Sequence, residues 1–293
     1  MTYKYRFSLC VACYNSAKFI DRVFKSIDNF TFRNFELLII NDASSDNTDQ
    51  LIQEYISRAS FSVKYLNREK NEGLQANVDW AIDNAEGELF LGMGHDDEWL
   101  PETLTIFDDI MNKYDKDDIN GIGCLCVHQD GKLVGYKYPK DVYIANYFNV
   151  HFERGKRRHE IPYMFKTKIL SELKSKGESY DLLDMGCYYN TIYINCILRV
   201  YYINENPLAL TKRSRSQIAE KQYLTNAKYV NVYQYQIKSL YLQRLRMIFS
   251  FPYYGCIAGK KLKGMLSLID KKINKVFVCF LYFPAFLLSK VKY

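Results

Sequence analysis

The sequence predicts an α/β protein with a mostly parallel central sheet, helices on both faces, and a helical, basic, amphipathic C-terminal extension. Three observations predict it. Short apolar runs alternate with helically spaced apolar residues four times in roughly the first 115 residues. Past that point the alternation stops. Charge is also divided: residues 212–293 hold sixteen lysines and arginines against two acids, Glu220 and Asp270, a balance of +14 within a net +7, which leaves −7 on residues 1–211. With 293 residues, 48% hydrophobic and 25% charged, the chain can bury a full core in one large or two small domains.

RFSLCVAC (6–13) is an apolar run suited to an inner strand, broken by Tyr14-Asn15-Ser16, where Asn15 or Ser16 can cap a helix. Phe19, Ile20, Val23, Phe24 and Ile27 follow at helical spacing. FELLII (35–40) is a second strand, and Asp46 and Thr48 can cap the helix that buries Leu51, Ile52, Tyr55 and Ile56. SVKYLN (62–67) is a third strand, followed by a turn at Asn71–Gly73 and a helix to about Ala85. Leu89-Phe90-Leu91 is a fourth strand, and Pro101 opens a helix burying Leu104, Phe107, Ile110, Met111 and Tyr114. Residues 121–138 suggest a strand, an Asp130-Gly131 turn and a returning strand. ERGKRRHE (153–160) is a charged loop, and the acids Asp181 and Asp184 precede an expected helix from 185 to about Cys196. LRVYYIN (198–204) and PLALTK (207–212) are strand-like, and from about 217 the chain is expected to be helical, with apolar stripes Val230, Tyr233, Ile237, Leu240, Tyr241, Leu245, Ile248 and Leu262, Leu266, Ile269, Ile273, Val276, Phe277, Phe280.

Composition narrows the function classes. MTYKYRFSLC lacks the pattern of a secretory leader, and no apolar run is expected to cross a bilayer; the 13 uncharged residues VFVCFLYFPAFLL (276–288) suit its interface instead. The +14 of the extension favours anionic headgroups, with packing on the domain or a homo-oligomer contact as the bland reading. Nucleic acid is not the expected partner, because no binding motif accompanies the charge. The pairs Cys10/Cys13 and Cys124/Cys126 lie in apolar strands and are expected to be buried free thiols rather than a zinc or redox site.

Right-handed crossovers put the carboxyl end of every parallel strand on one rim, so Asn15, Asp42, Asp96 and Asp97, all just past strand ends, converge on one crevice. Adjacent carboxylates suit a hard divalent cation or a hydroxyl-rich ligand; a polar loop capping the next helix is the bland reading. His95 reads as a loop residue and His128 as a strand residue.

These blocks resemble family 2 of the glycosyltransferases, with the Rossmann-like GT-A fold. VACYNSAKFIDRVFKSI resembles the family's opening strand and helix, and FELLIINDASSDNT its signature ending Asp-Asp-Gly-Ser-x-Asp-x-Thr. KNEGLQANVDWAIDNAEGELFL resembles its Asn-x-Gly turn and the lead into the metal strand, and HDDEWLP its Asp-Asp-x-Trp-x-Pro. YDLLDMGCYYN resembles the region of the catalytic base, and YINENPLALTKRSRSQ the terminal strand and basic loop. In one departure, Gly94 stands where the family commonly has the first Asp of Asp-x-Asp-Asp.

The resemblance implies a metal-dependent, inverting transferase that moves a sugar from a nucleotide-diphosphate sugar, a UDP-sugar first, to a hydroxyl of a glycan acceptor, in bacterial surface-polysaccharide synthesis. The acceptor is expected to be lipid-linked, at the inner, cytoplasmic face of the membrane. It implies that Asp42, Ala12 and Tyr14 meet the nucleoside, with Asn15, Asn71, Gly73 and Asp96 also on the donor. Asp96 and Asp97 would hold Mn²⁺ or Mg²⁺. Asp184, or failing it Asp181, would be the base, and Arg213 or Arg215 would grip the diphosphate. The implied division is 1–215 for the transferase domain (1–115 donor half, 116–215 acceptor half) and 216–293 for the extension. The different-class alternative is a non-catalytic GT-A protein that binds nucleotide sugar or membrane, motivated by Gly94. Nucleotidyl transfer is disfavoured, because no glycine-rich loop with a following lysine is present.

Overall fold

A computed structural model describes residues 2–151, 160–202, 214–235 and 241–290. It divides into two compact units: residues 1–146 with 158–205, and residues 147–157 with 206–293.

The first unit is a nine-stranded mixed sheet between helices. Its first half follows the alternation of the sequence: β1 (Tyr5–Cys13), α1 (Ile20–Asn29), β2 (Phe35–Asn41), α2 (Thr48–Arg58), β3 (Ser62–Asn67), α3 (Gly73–Asn84), β4 (Gly87–Met93) and, beyond a short loop, α4 (Thr103–Tyr114). Strands β3, β2, β1 and β4 lie side by side and parallel. β2 is buried at every position because helices cover both of its faces, which is why FELLII carries no polar alternation beyond Glu36. One face packs Leu37, Ile39, Phe7 and Leu9 against α1, α2 and α4 through Val23, Ile27, Ile52, Tyr55 and Phe107. The other packs Cys10, Leu38, Ile40 and Phe90 against α3 through Ala81 and Ile82. Cys10, Cys13, Cys124 and Cys126 are buried free thiols, and burial pushes Cys10 up to about 12.

The loop between β4 and α4 holds a short strand, β5 (Glu98–Trp99), and beyond residue 114 the chain adds β6 (Ile119–His128), β7 (Val142–Ala145), β8 (Tyr163–Lys166), α6 (Thr167–Ser175), α7 (Leu182–Met185) and β9 (Asn190–Tyr201) to the same unit. β8 enters antiparallel between β4 and β6, and β9 runs parallel to β6 with β5 and β7 antiparallel to it. The expected helix from 185 to 196 is therefore overturned: only Leu182–Met185 is helical, and Asn190–Tyr201 is a strand. Its Thr191, Ile192, Tyr193, Ile194 and Ile197 are β-branched or aromatic, and three strands offer it ladder partners. The Asp130-Gly131 turn forms, with Gly131 at φ +80°, but the return is one bridge, Val127 to Leu133, rather than a strand. Most of the 153–160 loop, the PLALTK segment and, in the first apolar stripe of the extension, Ile237 and Leu240 lie outside the described residues.

The second unit holds α5 (Tyr147–His151), α8 (Arg215–Asn231), α9 (Tyr241–Ile257), α10 (Leu262–Ser267) and α11 (Lys272–Ser289). A capping box starts α8: Ser214 Oγ accepts the Gln217 N–H and Gln217 Oε1 accepts the Ser214 N–H. α11 corrects a second expectation. It runs for 18 residues, long and apolar enough by length and composition to cross a membrane, because the helix continues back through Asn274 and Lys275 to Lys272. Along α11 Ile273, Val276, Phe277 and Phe280 of the second apolar stripe are exposed, while Asn274, Val278 and Ala285 face inward.

Candidate active site

The carboxyl ends of β1, β2 and β4 are stitched into one rim by short polar bonds. After β1, Asn15 adopts φ 49°; its Oδ1 accepts the Ser45 N–H at 2.8 Å, and its own N–H reaches Ser44 Oγ at 2.9 Å. The loop after β4 ties back to β1, with His95 Nδ1 3.2 Å from the Ala12 carbonyl oxygen. Tyr14, exposed, lies on the same loop as Asn15. Ala12, Tyr14, Asn15 and His95 thus fall on neighbouring strand ends, as their positions in sequence imply.

Asp42, after β2, is 3% exposed and accepts from two backbone donors, Glu72 N–H at 2.8 Å and Gly73 N–H at 2.9 Å. Those donors open α3, so the carboxylate complements the positive end of that helix. Gly73 has φ +87°, a conformation that only glycine adopts cheaply, and this brings the two N–H groups together. Asn71 precedes this turn, and Arg68 lies against it, bonded to Asn77 Oδ1 at 2.6 Å and to Glu72. Asp42 therefore spans β2 and α3, a structural duty beside the expected nucleoside contact. Ala43, the next residue, stands where the resembling pattern has glycine and sits at φ 57°. A left-handed alanine costs about 1 kcal/mol. Ala43→Gly is expected to raise stability by about 0.5 kcal/mol after the entropy glycine adds to the unfolded chain. A urea midpoint that falls instead would contradict this strain.

The acidic loop is clamped by β9. Glu98 and Trp99 pair with Val200 and Arg199. Arg199, 7% exposed, lies 3.1 Å from Asp97 Oδ2 and 3.1 Å from Glu160 Oε1. Asp97 is 5% exposed and accepts the Tyr202 N–H, while Tyr202 Oη donates to Glu98 Oε2 at 2.8 Å. Arg22 stacks 3.4 Å from the Tyr202 ring centroid and donates to the Asp96 carbonyl oxygen at 2.7 Å. Burial pushes the Asp97 carboxyl up to about 6, against the pull of Arg199. Burial also works against the Arg199 charge, but Asp97 and Glu160 more than offset it and raise its pKa. Gly94 matters here: a Cβ would stand 2.8 Å from Asp97 Oδ2 and 3.3 Å from Asp96 Oδ1, so the bare backbone lets both carboxylates close over the turn.

The two acids expected to act on the metal are thus in different settings. Asp97 is buried in an ion pair, while Asp96 keeps partial exposure. Among the described residues no group of three or more His, Cys, Asp or Glu side chains could hold a metal ion. Mg²⁺ or Mn²⁺ can nonetheless be held by one or two carboxylates together with substrate phosphates, and Asp96 fits that role.

Asp181 stands at the N-terminus of α7 and Asp184 within it; the helix packs through Leu182 and Met185 on the sheet face that α3 covers. Asp184 is half-buried. Asp181 lines a cavity of about 360 Å³ with Gln75, Asp79, Lys174 and Tyr180. Arg215 belongs to the second unit, where Nη1 donates to Tyr253 Oη at 3.0 Å; Arg213 lies outside the described residues. Sequence reasoning passed over Arg199, Arg22 and Tyr202. Arg199 did leave a signal, a charged residue inside the apolar LRVYY run, which has to find a buried partner.

A parallel sheet with an acidic loop leaving its fourth strand, extended by a half of mixed strand direction, is the fold of the GT-A glycosyltransferases. S. aureus TarS residues 1–349, solved in complex with UDP-GlcNAc, matches it with a TM-score of 0.62 at 16% identity, over 97% of this chain and 90% of that one. A mannosyltransferase from Pyrobaculum calidifontis, solved with GDP-Man and Mn²⁺, matches with a TM-score of 0.54 at 16% identity, over 98% and 87%. The family model for glycosyl transferase family 2 covers residues 8–173, more than half of the sequence, and the chain belongs to that family. A GalNAc(5)-diNAcBac-PP-undecaprenol beta-1,3-glucosyltransferase of Campylobacter jejuni is 26% identical over 207 residues, 68% of this chain and 65% of that protein. An uncharacterized glycosyltransferase of Rickettsia conorii is 30% identical over 146 residues, 49% of this chain; the chain spans only 23% of that relative's length.

Proposed function

We propose that this glycosyltransferase inverts the anomeric centre as it moves a sugar from a nucleotide-diphosphate donor, a UDP-sugar first, to a hydroxyl of a lipid-linked glycan. The product would serve bacterial surface-polysaccharide synthesis at the inner face of the cytoplasmic membrane. The observation that carries the reading is the single rim formed by Ala12, Tyr14, Asn15, Asp42 and the His95-Asp96 loop. The names of the relatives and neighbours, which include an undecaprenol-linked glucosyltransferase and a UDP-GlcNAc complex, support it.

In this reading Asp42, Ala12 and Tyr14 hold the nucleoside, with Asn15, Asn71 and Gly73 shaping the pocket. Asp184 takes the proton of the attacking hydroxyl, with Asp181 as its alternate, and Arg213 or Arg215 carries charge toward the diphosphate. Asp96 is the residue that would hold Mg²⁺ or Mn²⁺, whose charge would offset that developing on the leaving diphosphate. Asp97 would share its carboxylate between the ion and Arg199, which already takes Oδ2. We place residues 1–215 as the transferase domain, 1–115 serving the donor and 116–215 the acceptor, with 216–293 as the membrane-directed extension.

A thermal-shift screen of UDP-, GDP-, dTDP- and CDP-sugars with Mn²⁺, followed by transfer to a lipid-linked acceptor, tests the reading. One donor is expected to raise Tm by several degrees at saturating ligand. Gly94 and the Asp97–Arg199 pair favour one second reading, a non-catalytic binding protein. Nucleotide binding that ignores divalent cations, with no turnover, would favour it.

A further inference from the structure

We propose that α11 lies flat on an anionic lipid leaflet with its Ile273-Val276-Phe280-Phe283-Leu287 face in the acyl region and its terminal lysines at the phosphates. The proposal gives the membrane partner of the reading above a residue-level surface, and rests on that reading.

The helix has two opposite sides. Asn274, Val278 and Ala285 are buried, and Asn274 Nδ2 donates to the Val230 carbonyl at 3.0 Å and to Tyr235 Oη at 3.3 Å, fastening α11 to the end of α8 and the turn after it. On the other side Ile273 is 59% exposed, Val276 49%, Phe280 76%, Phe283 66% and Leu287 52%. At 3.6 residues per turn these five fall in an arc of about 80°, centred about 160° from the buried three. Phe277, Phe286 and Leu288 widen the exposed face. A contiguous face of large apolar side chains is not what water-facing helices carry.

Charge indicates what covers it. Lys271, Lys272 and Lys275 stand at one end of α11 and Lys290 at the other; residues 271–293 contain no acid. Basic residues confined to the two ends of an apolar face suit phosphates level with it, since a lysine stem can lie along apolar surface while its ammonium reaches outward. The +14 of residues 212–293 adds attraction to an anionic surface. A crossing orientation fits less well. α11 packs along α9 and is bonded to α8, whose sequence carries Glu220, Lys221 and Lys228, so crossing would take charge into hydrocarbon. Lying flat leaves those helices on the aqueous side.

Flotation of the full chain with vesicles tests this, using phosphatidylcholine alone and phosphatidylcholine with phosphatidylglycerol. The protein is expected to float with the anionic vesicles at low salt, with binding about tenfold weaker on the neutral ones or at high salt. Phe280→Asp/Phe283→Asp is expected to abolish flotation with an unchanged circular dichroism spectrum, while Phe280→Leu/Phe283→Leu retains it. Nucleotide binding in solution is expected to be the same in all three proteins, which separates failure of this proposal from failure of the donor reading. Four results would overturn it. The wild type stays out of the anionic vesicle fraction; the aspartate variant floats as the wild type does; alkaline carbonate fails to release the protein; or sedimentation shows a dimer that the aspartate variant dissolves while no vesicle binds.

Discussion

Arg199→Met is expected to lower the stability of the sheet unit by about 3–5 kcal/mol, the range for breaking one side of a buried ion pair. The side chains of Arg199 and Asp97 are only 8% and 6% exposed, so removing the guanidinium leaves a carboxylate in low dielectric with no cation beside it. Glu160 loses less, since its side chain is 46% exposed and water can solvate it. The compensating change is Asp97→Asn, which removes the stranded charge but keeps an acceptor for the Tyr202 N–H. The double variant should recover at least half of the loss, giving a coupling energy well outside the additive range. Urea unfolding followed by the fluorescence of Trp80 and Trp99 reads it, since both lie in this unit. Strictly additive single-variant effects would mean that the pair does not clamp the loop.

Asp96→Ala is expected to cut transfer by about 10²- to 10³-fold, the usual loss when one group that stabilises developing transition-state charge is removed. Its stability should fall little, because Asp96 is only half-buried and the bond from Arg22 to its carbonyl survives the substitution. The contrast with Asp97 is the informative part. Asp97 variants should lose stability and activity together, whereas Asp96 variants should lose activity with the melting temperature nearly kept. Equal transfer by Asp96→Ala and the wild type would remove the proposed role of Asp96.

The donor half was legible in the sequence because each element has a single solution there. FELLII has no polar face, so it must be an inner strand, and Val23, Phe24 and Ile27 permit only a helix against it. Asp42 was legible as a rim residue and Asn71–Gly73 as a turn for the same reason, since strand ends fix where the turns fall. The second half was harder. NTIYINCIL can be arranged as helix or strand, and its strand state depends on β6, β5 and β7 arriving from elsewhere in the chain. β5 is two residues long and exists only because β9 is beside it. The Asp97–Arg199 pair links residues about a hundred positions apart, a distance over which local pattern carries no information. The direction in which the α11 stripe faces was not legible either. Hydrophobic spacing tells which residues share a face, but a face turned outward has the same spacing as one turned inward.

Calorimetric titration of UDP, GDP, dTDP and CDP into the wild type and Asp96→Ala, with Mn²⁺ and with EDTA, tests most directly whether the strand-end rim is a nucleotide-diphosphate site. The account predicts that at least one nucleotide binds the wild type with Mn²⁺, and that Asp96→Ala or EDTA weakens that binding by roughly tenfold or more while the fold persists. Binding by none of the four, or equal binding by the variant and in EDTA, would contradict it.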